Sequence, residues 1–221
     1  MGGGHAGTHH EALRILSTMD TNEIAGVLEF LRAAERLKST VRSGYTSAGE
    51  QESVAEHTWR LCLMALVMRS AFPDVDFAKL VKICIIHDLG EAIHGDVPAP
   101  EQARRSALGV SAGKAADERR DLVQLLAPLP PAIRDEITGL WDEYEAAATT
   151  EAKVAKGLDK LETIMQHNQG MNPDDFDYRF NLGYGRKQTA DIPFIARVRD
   201  ILDRETEARA RAADTKRSPS R

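Results

Sequence analysis

The chain has 221 residues, 42% of them hydrophobic and 29% charged. That is the composition of one ordinary globular core and excludes a fibrous, collagenous or largely disordered protein. Lys and Arg number 29 against 34 Asp and Glu, a net charge of −5; this offers no electrostatic footprint for a nucleic acid duplex, though one or two local cations still suffice for a small anion.

In chain order, residues 1–18 are rich in Gly and His and are expected to form a flexible segment. The start, MGGGHAGTHH, carries no apolar signal stretch, and Ala6 breaks the myristoylation pattern. His5, His9 and His10 are either a chance metal trap or simply part of a loose terminus. A single domain is expected over 19–212, with a flexible tail over 213–221. From Asp20 onward Ile24, Val27, Leu28 and Leu31 recur at helical spacing, with Asp20 or Thr21 available as cap and Glu23 in the first turn. Residues 37–51 are polar, contain Gly44 and Gly49, and read as a loop. Ser53 opens a second helix as a capping box with Glu56. Its run 61–68 is apolar nearly all round, which predicts a helix in the middle of the core. Phe72-Pro73-Asp74 breaks that helix and a third begins near Asp76, where Phe77, Leu80, Val81 and Cys84 form one stripe that continues into His87, Asp88 and Glu91. Pro98 and Pro100 stop regular structure, and 101–116 reads as a mobile insertion.

Further helical patterns cover 117–127, 132–147, 151–168 and 191–212, separated by Pro128-Leu129-Pro130-Pro131 and by a Gly/Asn/Pro/Asp-rich stretch at 168–186. No strand-like alternation of useful length and no internal repeat is present. No apolar run reaches the roughly 18–20 residues that span a bilayer. Cys62 and Cys84 lie in apolar runs and read as buried thiols. The expectation is an all-α, cytoplasmic protein without membrane partners.

The chemistry concentrates in His57, in the pair His87-Asp88, in Asp159 on a helix patterned for burial, and in the carboxylates Glu91 and Asp96. Each of the first three has a plain reading on its own: a buried His bonded to a carbonyl, or a buried Asp capping a neighbouring helix. A lone buried carboxylate is costly, however. Two neutral imidazoles and two carboxylates around one divalent cation form a formally neutral centre, so together they suggest a metal site. Such N/O donors suit several first-row metals and leave positions for water and an anionic substrate. If the helix runs on, Glu91, four residues after His87 and three after Asp88, shares their face. There it is placed to orient or deprotonate a water, although an exposed helix-end charge is the plain alternative. Gly95-Asp96 reads as a turn that returns a second carboxylate toward the helix end.

His57, then His87-Asp88, then Asp159, on a helical background, resembles the HD-domain phosphohydrolases. The longer strings SVAEHTWR, HDLGEAIHGDVPAP, WDEYEAAATTEAKVAKGLDKLE and LKSTVRSGY look like the branch of 5′-deoxynucleotidases, over roughly residues 24–212. The resemblance implies an HD-domain helical bundle that removes phosphate from deoxyribonucleoside 5′-monophosphates. It implies metal ligation by His57, His87, Asp88 and Asp159, water activation by Glu91, and a second active-site carboxylate, Asp96, near the phosphate and leaving oxygen. Arg42 matches an arginine that holds the phosphate, a role that suits a bidentate guanidinium. Tyr45 lies near the position of an aromatic residue beside the sugar, although here the segment is R-S-G-Y where bacterial members have Trp directly after the Arg.

Binuclear HD enzymes carry further histidines between the HD pair and the last Asp. Here only His94 lies there, so one divalent ion is expected, with Co, Mn, Fe, Ni and Zn not distinguished. A small nucleotide substrate and a homodimer are the implied partners, the apolar residues of 192–202 packing internally or across that dimer. The same site acting on a triphosphate, a cyclic nucleotide or a ppGpp-like ester, and a non-catalytic nucleotide-binding module, remain as alternatives. For larger polyphosphates the nearby cations are Arg42, Lys38 and Arg60.

Overall fold

The computed structural model describes residues 19–98, 101, 104, 108 and 114–217. The terminal segment 1–18 and most of 101–113 therefore lie outside the described residues. The first helix, α1 (Thr21–Ala34), is capped by Asp20 in a capping box with Glu23. It leads through a 3₁₀ turn (Glu35–Lys38) into a hairpin of β1 (Val41–Tyr45) and β2 (Gln51–Ser53). Helix α2 (Val54–Val67) starts directly from β2 with Ser53 and Glu56 as its capping box. Helix α3 (Phe77–Ile86) is capped by Asp76, and the short α4 (Glu91–His94) follows. Then come α5 (Lys114–Leu126), α6 (Pro131–Ala146), α7 (Thr150–Gln169), the short α8 (Phe180–Gly183) and α9 (Arg186–Ala190), and α10 (Pro193–Arg217).

The all-α expectation is met apart from the hairpin, which corrects the loop expected over 37–51. Its strands are antiparallel with Val41 opposite Ser53 and Tyr45 opposite Gln51, and the register shifts between them. Five and three residues are too few to show a period of two. The turn is held by Thr46, whose hydroxyl accepts from the backbone N–H groups of Ala48 and Glu50, and by Gly49 at φ +87°.

Helix α7 is the centre of the bundle and packs against α2, α3, α6, α9 and α10. Leu158, Leu161 and Ile164 on it are fully buried with Leu61, Ile83 and Ile195. A second cluster, under α1, joins Ile86 and Leu89 to Leu122, Leu126 and Trp141. No residue of α1 is buried, and Ile24, Leu28 and Leu31 are about half exposed. One burial expectation, that for α2, is corrected. In α2 only one face is buried, by Val54, His57, Leu61, Met64 and Ala65, while Trp59, Leu66 and Val67 stand in solvent. Helical spacing identifies an apolar face; it does not say that a neighbour covers it. Helix α10 continues to Arg217, past the expected domain end at 212. Among the described residues no helix is long and apolar enough to cross a membrane.

The third helix also stops sooner than the stripe suggests. After Ile86 the chain tightens into turns, with Leu89 N–H bonded to Ile86 O and Glu91 N–H to Asp88 O, each at 3.1 Å. Gly90 allows this turn to press on α5, because a Cβ there would lie 2.9 Å from the Glu118 carbonyl oxygen. Gly90→Ala is expected to lower stability by about 1–3 kcal/mol through that backbone clash, read as a lower urea midpoint at unchanged slope.

Candidate metal centre

Three separated segments deliver the polar groups to one cleft. His57 projects from the first turn of α2, His87 and Asp88 from the end of α3, and Asp159 from the middle of α7. His57, His87 and Asp88 each offer a ligand atom within 4.8 Å of the others'. Nε2 of His57 lies 3.3 Å from Oδ1 of Asp159 and 3.8 Å from Oδ2 of Asp88, and Nε2 of His87 lies 3.2 Å from the same Oδ2. Asp159 thus adjoins the group through His57. His57 and His87 are buried, with ring centroids 5.6 Å apart.

The opposite nitrogens are already committed. Nδ1 of His87 bonds the Cys84 carbonyl at 2.8 Å, and Nδ1 of His57 bonds the carboxylate of Glu162, which is fully buried. An acceptor at Nδ1 puts the proton there and turns the Nε2 lone pair inward. Both Nε2 atoms are buried and neither has a hydrogen-bond partner. Two orphaned imidazole nitrogens facing two carboxylates are the donor set of an N/O cation site, and buried polar atoms are seldom left unpaired without such a reason. The residues fit a divalent ion.

The charged groups of the cleft act strongly on one another. Burial and Arg42 pull the His57 imidazole down, but Glu162 and Asp159 outweigh them and push it up to about 9. A proton on His57 is therefore the natural competitor of a metal. Burial disfavours charge on Asp88 and Asp159 as well. The neighbours His87, Arg42 and His57 nonetheless hold Asp88 below the usual carboxylate range, and Lys160, His57 and His87 do so for Asp159. Glu91 goes the other way. Burial, then the charges of Asp88 and Asp96, push it up to about 10 against the pull of Arg42, and its Oε2 is buried without a partner.

Glu91 and Asp96 both line the cleft beside His87, Asp88 and Asp159. Glu91 is there although the helix does not continue as expected. Gly95, at φ +86°, makes the reversal that brings Asp96 back. Arg42 enters from β1, donating to Asp88 Oδ2 at 3.3 Å and to Thr163 Oγ1 at 3.0 Å, with Nε 3.6 Å from Glu52. Tyr45 is not among the lining residues; it sits at the end of β1, where its carbonyl accepts from the Gln166 side chain. Ser43 lines the cleft from that strand. His94 points outward, bonded to Asp121 at 2.7 Å.

Several residues of the site carry no signal by themselves in the sequence. Lys156, Lys160 and Thr163 are such residues; together with Asp159 they line the cleft at helical spacing, on one face of α7. Glu162 stands three residues after Asp159 in the string AKGLDKLE, but nothing in the sequence pairs it with His57. The cleft's cations are Arg42, Lys156 and Lys160. Lys38 pairs on the surface with Glu35, and Arg60 is tied to Glu162 at 2.6 Å. A second acidic group, Glu52, His57 and Glu162, is filled by that Arg60 guanidinium.

The model of the HD domain matches residues 34–198. The 5′-deoxynucleotidase HDDC2 of Bos taurus is 32% identical over 156 residues, covering 70% of this chain and 72% of its own. The 5′-deoxynucleotidase hdd1 of Schizosaccharomyces pombe is 31% identical, with 67% and 74% covered. This chain belongs to the HD domain family, in its 5′-deoxynucleotidase branch. Among solved HD-like folds, one from Magnetospirillum magnetotacticum MS-1, described as a predicted metal-dependent phosphohydrolase, superposes with a TM-score of 0.73 at 24% identity, covering 85% of this chain and 94% of its own. The HD phosphohydrolase of cyanophage S-2L, bound to dA and one catalytic Zn²⁺ ion, gives a TM-score of 0.50 at 21% identity, with 88% and 98% covered. The HD family's helical core is therefore the fold of this chain.

Proposed function

We propose that the protein is a metal-dependent phosphomonoesterase that hydrolyses deoxyribonucleoside 5′-monophosphates to deoxynucleoside and phosphate. One observation supports it above the rest: two buried imidazole nitrogens without partners face Asp88 and Asp159, with Glu91, Asp96 and Arg42 on the same cleft wall. The branch membership supplies the substrate class. His57, His87, Asp88 and Asp159 would hold a single divalent ion, which when bound supplies Lewis acidity toward the phosphoryl oxygens.

The chain's own residues do the remaining work. Arg42 binds the phosphate with a guanidinium already oriented by Thr163 and Glu52, which limits the entropy lost on binding. Its burial would lower its basicity, but the charges of Asp88, Asp159 and Glu162 more than restore it, so it stays cationic. Glu91 accepts a proton from the attacking water as the new O–P bond forms. Asp96 attends the opposite side, where the P–O5′ bond breaks and the leaving oxygen needs a proton. Lys156 and Lys160 are each paired with a carboxylate, Glu145 at 3.1 Å and Asp159 at 2.8 Å. Monophosphates are therefore favoured over longer phosphate chains.

The test is phosphate release by metal-replete protein from dAMP, dGMP, dCMP and TMP, their ribonucleotide counterparts, and dATP. Inorganic phosphate from the deoxyribonucleoside monophosphates is expected, with no pyrophosphate from dATP. Pyrophosphate as the main product would replace this reading with triphosphohydrolysis, and nucleotide binding without turnover would make the protein a non-catalytic module.

A further inference from the structure

The two carboxylate oxygens of Asp159 have different surroundings. Oδ1 lies 3.3 Å from Nε2 of His57. Oδ2 accepts from the Tyr144 hydroxyl at 3.1 Å and from the Lys160 ammonium at 2.8 Å. Both donors are held in turn. The buried Tyr144 ring meets the His87 ring edge-on at 5.2 Å and lies under the Lys156 ammonium at 4.1 Å. The Lys160 ammonium sits 5.2 Å from the centre of the Tyr184 ring. Gly185, at φ +67°, presses on the lysine stem so closely that a Cβ there would fall 2.7 Å from Lys160 Cβ and 2.8 Å from its Cγ. A lysine on the surface swings freely, but this one is pinned along its length.

A carboxylate has a soft terminal torsion and, if unrestrained, turns either one oxygen or both toward a cation. Here one oxygen is saturated by two donors from different helices, and only the other faces the histidines. We propose that Tyr144 and Lys160 are positioning residues that confine Asp159 to one-oxygen ligation and so keep coordination positions open for water and phosphate. The inference rests on the metal-centred reading above and deepens it, since partners behind metal ligands set their orientation.

Metal-free full-length protein titrated with Co²⁺ tests this by affinity and by the visible ligand-field spectrum, with melting of the metal-free form as a control. Tyr144→Phe keeps the ring and removes the hydroxyl. It should weaken Co²⁺ binding by about tenfold and dim the visible bands as Asp159 turns to two-oxygen binding, while the metal-free melting temperature holds. Lys160→Met, which keeps the stem against Gly185, should act in the same direction, and Lys160→Arg should stay nearer the wild type. Lys160→Met carries the test alone if Tyr144→Phe does not fold. Wild-type affinity and spectrum in these variants, or lost stability with an unchanged spectrum, would overturn the inference alone. A wild-type protein that takes up no Co²⁺ would remove the metal-centred reading and this inference with it.

Discussion

Glu91→Gln is expected to lower turnover by roughly 10²–10⁴-fold, the range of a positioned general base, while the protein still retains its metal. The two halves of that expectation have separate structural grounds. Glu91 lies outside the cluster formed by His57, His87 and Asp88, so its loss leaves the donor set intact. Its carboxylate is nevertheless in the same cleft, with Oε2 buried and without a hydrogen-bond partner. Burial and the charges of Asp88 and Asp96 favour its protonated form, and a nearby cation opposes that preference, since opposite charge favours ionisation. Metal occupancy and the basicity of Glu91 are therefore linked. Gln keeps the size and the hydrogen-bonding shape but cannot accept a proton, which separates chemistry from packing. Phosphate release is measured beside metal content by atomic emission. Unchanged turnover would take Glu91 out of the mechanism, and lost metal would make it a structural partner of the centre.

The parts of this site that the sequence discloses are those whose chemistry conflicts with their local pattern. Asp159 stands between Leu158 and Leu161 on a buried helix, and His87-Asp88 ends an apolar run, so both signal an unusual compensation. The caps Asp20, Ser53 and Asp76 are legible for a similar reason, because each acts within a few residues of itself. What acts across the fold is not legible. Glu162 meets a histidine 105 positions away, and nothing near either residue names the other. Lys156 and Lys160 look like ordinary helix charges until the α7 face is known to form the cleft wall. Arg42 could be assigned by likeness, but its support by Thr163 and Glu52 depends on how the hairpin docks on α7. Tyr45 is the contrasting case: one strand and its irregular register decide which side chains enter the cleft, and spacing along 42–45 does not contain that information.

Glu162→Gln is expected to weaken divalent metal binding by about 10–100-fold, although Glu162 is not among the residues proposed to hold the ion. Its carboxylate accepts from Nδ1 of His57 and fixes which nitrogen faces the cluster, and it also binds Arg60 at 2.6 Å. Removing its charge therefore does two things at once. It loosens the imidazole, and it deprives a mostly buried guanidinium of its nearest counter-charge, leaving Glu52 at 3.6 Å. Breaking one side of a buried ion pair typically costs about 3–5 kcal/mol, whereas replacing both sides by groups of similar volume is close to neutral. The double substitution Arg60→Met with Glu162→Gln should then recover much of the stability lost in the single variant but little of the metal affinity, because His57 still lacks its carboxylate. Urea unfolding of the metal-free proteins and competition with a chelator read the two effects separately. If affinity returned together with stability, Glu162 would act only through packing; if stability fell and affinity never changed, the orientation of His57 would have to come from the helix alone.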